Sequence, residues 1–103
     1  MEALLTGLRA AGEPTRLRLL MLLARSELTV SELTQILRQS QPRVSRHLKL
    51  LCEAGLLDRF REGSWVFYRL ANQTGEGDLV QFLVQALPAD DPVVARDLER
   101  LKS

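Results

Sequence analysis

Ser40–Gly55, SQPRVSRHLKLLCEAG, reads as one helix with two chemically different faces. Ser40 is a good N-cap, and Pro42 fits the first turn, where its missing N–H is not needed. Val44, Leu48 and Leu51 follow at i, i+4 and i+7 and share one apolar stripe. Gly55 closes the helix, because glycine adopts the left-handed C-terminal conformation most cheaply. Gln41, Arg43, Arg46 and Lys49 point away from the stripe. They can donate to phosphates or to base edges, and few other ligands want such a face. Taken alone, the stretch also fits a surface helix with a solvated basic side. Its neighbours in the chain decide.

On the N-terminal side, Leu4, Leu5, Leu8 and Ala11 recur at helical spacing over residues 2–11, and Gly12 ends that helix. Glu13-Pro14-Thr15 starts a second helix, whose broad apolar side (Leu17, Leu20, Met21, Leu23, Ala24) marks it as the central core helix. Thr29-Val30-Ser31-Glu32 has the spacing of a capping box and opens a short helix that buries Val30, Leu33, Ile36 and Leu37. That helix stops near Gln39. Two helices joined by about three residues form a helix-turn-helix, in which the second enters the major groove.

On the C-terminal side the pattern changes. Leu56–Arg61 and Trp65–Leu70 are short and rich in aromatic and β-branched residues, with Glu62-Gly63-Ser64 between them. They predict a β-hairpin, with Val66, Tyr68 and Leu70 toward the helices, Phe67 and Arg69 on the other side, and Trp65 near the tip. Arg59, Arg61 and Arg69 give it a basic surface. Ala71–Gly77 reads as a loop. Asp78–Leu87 is a helix with two apolar stripes, and Pro88 ends it. Asp91-Pro92 opens a last helix carrying Val94, Leu98 and Leu101. The fold expected is therefore mainly α with a small β-hairpin: one winged helix-turn-helix domain over residues 1–103.

The charge distribution supports a nucleic-acid partner. Net charge is only +1 over 103 residues. Residues 38–75, however, hold seven basic against three acidic side chains, and residues 76–103 three basic against six acidic. The positive charge surrounds the Ser40–Gly55 helix. No apolar run is long enough to span a bilayer, Met1-Glu2 does not begin a signal peptide, and the single cysteine, Cys52, allows no internal disulfide. These features suit the cytoplasm.

EPTRLRLLMLL, ELTVSEL, SQPRVSRHLKLLCEAGLL and REGSWVFYRL together resemble the ArsR/SmtB family of bacterial transcriptional repressors, over about residues 3–72. The resemblance implies a homodimeric winged helix that binds a palindromic operator and is released by an inducer. It also implies a dimer interface built from the first helix and the helices after the wing. The residues expected on double-stranded DNA are Ser40, Gln41, Arg43, Arg46 and Lys49, with Ser45 and His47 at the flanks and Arg59, Arg61 and Arg69 on the wing. Those expected at the interface, on helices at about 2–11 and 78–102, are Leu4, Leu5, Leu8, Leu79, Phe82, Leu83 and Val84. These exceed what one small core can cover.

The sequence departs from the family at its inducer sites. Arsenic-sensing members carry Cys-Val-Cys where this chain has Thr29-Val30-Ser31, and oxygen side chains are poor soft-metal ligands. Zinc-sensing members use Asp and His on the helix after the wing, which here has no His and one acid, Asp78. Sulfur-sensing members need two cysteines. No metal site and no cofactor is expected, and the inducer is not legible. His47 is expected on DNA or in a helix-packing hydrogen bond, Cys52 as a buried thiol, and Asp90-Asp91 as a helix cap. Ser40, Ser45 and His47 lack an orienting group and an oxyanion hole, so no enzyme is expected. Two other readings stay open. One is a winged-helix protein-interaction module. The other rests on the WVFYRL hairpin and PADDP junction, which resemble ArsR-type domains fused in front of an S-adenosylmethionine-dependent methyltransferase. The last helix is marginal alone and needs either a dimer core or further polypeptide to dock on.

Overall fold

Helix α2 (Pro14–Leu23) is the centre of the molecule, with Leu19, Leu20 and Leu22 wholly removed from solvent. Glu13 caps it by accepting from the Arg16 N–H at 2.8 Å, and Pro14 occupies the first turn. Around it lie α1 (Glu2–Ala11), α3 (Val30–Leu37), α4 (Gln41–Glu53), α5 (Glu76–Ala86) and α6 (Pro92–Lys102). The computed structural model describes residues 1–71 and 76–103, with Glu76 and Gly77 as backbone only. The loop expected at Ala71–Gly77 thus falls mostly outside the described residues, and α5 begins at Glu76 rather than Asp78.

The sheet has three strands rather than the hairpin's two. β2 (Leu57–Glu62) and β3 (Trp65–Leu70) form the antiparallel hairpin, and β1 (Leu28–Thr29) joins on the far side of β3. Leu28 pairs with Tyr68 and Thr29 with Phe67. Thr29 is also the N-cap of α3: its hydroxyl accepts from the Glu32 N–H, and the Glu32 carboxylate accepts from the Thr29 N–H at 2.9 Å. One residue therefore ties the hairpin to the helix-turn-helix. A two-residue β1 is too short to show a period, which is why it is silent in the sequence.

The last helix docks on its own chain. The Asp91 side chain caps α6, accepting from the Val93 and Val94 N–H groups at 2.8 and 3.3 Å. Val94 and Asp97 are buried, and Leu98 and Leu101 pack against the core. Arg18 of α2 donates twice to Asp97, and Arg100 donates to the Ile36 carbonyl of α3 at 2.8 Å. The partner α6 needs is thus α2 and α3 of the same protomer, a third possibility beside the two expected. Helices α1 and α5 cross at Gly7, where an added Cβ would lie 2.8 Å from the Leu79 Cδ2.

Candidate nucleic-acid interface

Helix α4 is built as its sequence implies. Ser40 caps it, its hydroxyl accepting from the Arg43 N–H at 3.4 Å, and Pro42 sits in the first turn. Val44, Leu48 and Leu51 are wholly buried, and each fully buried side chain of this kind contributes ~1.5–3 kcal/mol. The C-terminus is a Schellman motif. The Leu56 N–H reaches the Leu51 carbonyl and the Gly55 N–H the Cys52 carbonyl, both at 3.0 Å, with Gly55 at φ +80°. Leu51 and Leu56 seal it from the apolar side. With one face anchored so firmly, the opposite face is fixed in direction. Ser40, Gln41, Arg43, Arg46 and Lys49 are all exposed on α4 and its cap, and Ser45 is half-buried.

The turn before α4 is short and held. Arg38 ends α3 in the left-handed region (φ 56°, ψ 45°), and the Gln39 side-chain amide donates to the Thr15 hydroxyl at 3.1 Å. The helix-turn-helix is thereby pinned to the N-terminus of α2.

His47 faces the same place. Its Nδ1 lies 3.0 Å from the Arg16 Nη1 and 4.0 Å from the Glu13 Oε1. Arginine only donates, so Nδ1 accepts and the ring is neutral there. Burial lowers the His47 pKa below 6.5; Glu13 opposes this, and Arg16, Arg43 and Arg46 reinforce it. Arg16 also donates to the Ala10 carbonyl. Of the two roles expected for His47, the structure shows the helix-packing hydrogen bond.

The hairpin splits its three arginines. Gly63 has φ +64° and Ser64 is not in the positive region, the pattern of a two-residue II′ turn. Glu62 consequently pairs with Trp65, Arg61 with Val66, Arg59 with Tyr68 and Asp58 with Arg69. Arg59 and Arg61 share a face with Val66 and Tyr68. Arg59 is close enough to Cys52 of α4 to pull the thiol pKa down, although burial wins and raises it. Arg69 lies on the other face, its guanidinium 4.5 Å above the Phe60 ring, and Phe60 stacks on Phe67 at 5.6 Å. Arg59 and Arg61 therefore share the hairpin face on which Arg59 acts on Cys52 of α4, and Arg69 lies on the opposite face. Trp65, at the tip, is 62% exposed.

On α1 and α5, Leu4, Leu8 and Phe82 are exposed, Phe82 by 67%. Leu5, Leu79, Leu83 and Val84 are partly covered. All seven belong to α1 and α5, the two helices that cross at Gly7.

This architecture has known counterparts. Residues 13–59 match the family model described as "Bacterial regulatory protein, arsR family". The arsenic resistance transcriptional regulator ArsR1 of Pseudomonas putida is 51% identical over 63 residues, 60% of this chain and 49% of that protein. The chain therefore spans about half the length of that curated relative. ArsR2 of the same organism, also an arsenic resistance transcriptional regulator, is 38% identical over 92% of this chain and 83% of its own length. Among solved structures, the transcriptional repressor BigR from Xylella fastidiosa superposes with a TM-score of 0.71 at 32% identity, covering 82% of each chain. The fold is a winged helix-turn-helix, and the chain belongs to the ArsR family of bacterial regulatory proteins.

Proposed function

We propose that this chain is a dimeric, sequence-specific DNA-binding transcriptional repressor that is released from its operator by a signal other than a metal ion. The observation that carries this reading is the exposed row Gln41, Arg43, Arg46 and Lys49 on a helix whose other face is wholly buried, with exposed Arg59 and Arg61 on one face of the hairpin that follows it. Gln41 and Arg43 lie at the N-terminal end that points into the major groove, where Gln pairs with adenine and Arg with guanine. The wing arginines act on phosphates. Relatives named as regulators and repressors support the same reading.

Residues 1–103 form a single domain, and α1 with α5 is its self-association face. Exposed Leu4, Leu8 and Phe82 support a two-fold dimer, which sets two recognition helices about one DNA turn (~34 Å) apart on a palindromic site. Several relatives are named for arsenic resistance. In this chain Thr29 and Ser31 stand where arsenic-sensing members have cysteines, and the Thr29 hydroxyl is committed to capping α3. Cys52 is half-buried, and burial raises its pKa, so it stays a thiol at neutral pH.

The test is DNA binding by the purified chain. A dimer that neutralises six to ten phosphates should show a slope of log K against log salt of about −5 to −9. Absence of salt-dependent binding to any duplex would sink the reading. About one metal ion per chain after chelator-free purification would remove the non-metal signal alone.

A further inference from the structure

Basic residues that lie far apart in the chain meet beside the helix-turn-helix. Arg38, exposed, ends α3 in a left-handed conformation that is unfavourable for a non-glycine residue. Arg100 of α6 reaches across to the Ile36 carbonyl at 2.8 Å. Arg38 and Arg100 line one polar hollow with Gln35, Ile36 and Ser103. Arg96, exposed, sits one turn before Arg100 on the same face of α6.

One guanidinium suffices to serve the C-terminal carbonyls and dipole of α3. Arg38, as the C-cap residue, also faces the α3 dipole, but its charge and that of Arg96 oppose the charge of Arg100. Loss of water contact lowers the Arg100 pKa, and the Arg38 and Arg96 charges lower it further. Asp97, the acid that opposes this, is already held by Arg18 at 2.7 Å. Among the described residues, neither Arg38, Arg96 nor Arg100 makes an ion pair. Three guanidiniums gathered at one hollow and the helix turn beside it, with no ion pair of their own among the described residues, fit an anionic partner.

We infer that Arg38, Arg96 and Arg100 form a second phosphate-binding surface, which grips the DNA backbone at the start of the recognition helix. This rests on the DNA-binding reading above. Position favours the DNA backbone as the partner. Arg38 is two residues before Ser40, so its Cα lies at most ~7 Å from that of the α4 cap. Phosphates along one strand recur every ~3.4 Å of helix axis, so Arg38 is within about two phosphates of whatever Ser40 and Gln41 reach.

The test compares Arg38→Gln/Arg96→Gln with the unaltered chain by fluorescence anisotropy. The probes are a random-sequence duplex and the best duplex selected from a random library, titrated from about 50 to 200 mM salt. Both substitutions leave the Arg100–Ile36 bond in place. Each phosphate contact contributes about 0.9 to the slope, so the variant should be shallower by about 2 per protomer, and equally so on both duplexes. Arg96→Gln alone should be shallower by about 1. Arg25→Gln, at the C-terminal end of α2, should match the unaltered chain. An unchanged slope in the double variant overturns the inference while leaving the DNA-binding reading intact, and weakened self-association in its place would reassign the surface to a protein contact. Failure of the unaltered chain to bind either duplex removes both.

Discussion

Arg18 and Asp97, 79 residues apart in the chain, form a two-pronged ion pair: Nε to Oδ2 at 2.7 Å and Nη2 to Oδ1 at 3.0 Å. The Asp97 side chain is wholly buried and that of Arg18 is 15% exposed. This pair fixes α6 to α2, and with Arg100 on Ile36 it makes the last helix part of the protomer's own core.

Removing one partner should therefore be costly. Asp97→Ala leaves a mostly buried guanidinium without its anion and should lower unfolding free energy by about 3–5 kcal/mol in urea titration. Replacing both by leucine should restore much of that loss, because a well-packed apolar pair is often as stable as a buried ion pair. If the double variant is as unstable as the single one, the pair is not what holds α6.

Acid should weaken the fold through His47. Its pKa is lowered in the folded protein, so in the window between that value and 6.5 the unfolded chain binds more protons. The stability that neutral His47 contributes is complete above pH 6.5 and is lost as pH falls through its folded-state pKa. His47→Gln retains an acceptor for Arg16 and removes the titration. The difference between the two chains in thermal midpoint should narrow or reverse on going from pH 7.5 to pH 5. A constant difference would show that His47 does not titrate against the fold.

Base reading and phosphate contact should separate by residue. Arg43→Ala should alter sequence preference, at a cost of about 1–3 kcal/mol on the best site and little on random DNA. Arg61→Ala should weaken both alike. Arg69→Ala should leave DNA affinity nearly unchanged, since its guanidinium sits over Phe60 on the other face of the hairpin. Competition assays on selected and random duplexes would distinguish the three. Equal effects from Arg43→Ala and Arg61→Ala on both duplexes would contradict the assignment.

Self-association should depend on Phe82. At 67% exposure it supports its own protomer little, so Phe82→Glu should keep its helical circular dichroism and its melting transition as a monomer. Sedimentation at micromolar concentration should shift from dimer to monomer. A dimer that persists would place the interface elsewhere.

Gly55 should not tolerate a side chain. Its φ of +80° and its place in the Schellman motif predict that Gly55→Ala destabilises the chain by about 1–2 kcal/mol. Denaturant midpoints measure this directly, and a neutral effect would mean that α4 ends another way.

The limits and faces of α4, the Thr29–Glu32 capping box, the hairpin turn at Gly63 and the Asp91 cap were all legible in the sequence by itself. Each depends on residues within a few positions of one another, where caps, turn chemistry and helical period act. What only the tertiary structure decided are relations between distant segments. Arg16 and His47 are 31 residues apart, and nothing local pairs them. Asp97 is buried among Val94, Leu98 and Leu101, and both its burial and its pairing with Arg18 follow only from how α6 lies on α2. The hairpin register is local, yet it too is settled only by the structure. A three-residue separator, Glu62-Gly63-Ser64, would pair Arg61 with Trp65 and set Arg59, Arg61 and Arg69 on one face. The two-residue turn shifts the register by one and moves Arg59 and Arg61 onto the face of Val66 and Tyr68, leaving Arg69 opposite, because strand side chains alternate with a period of two.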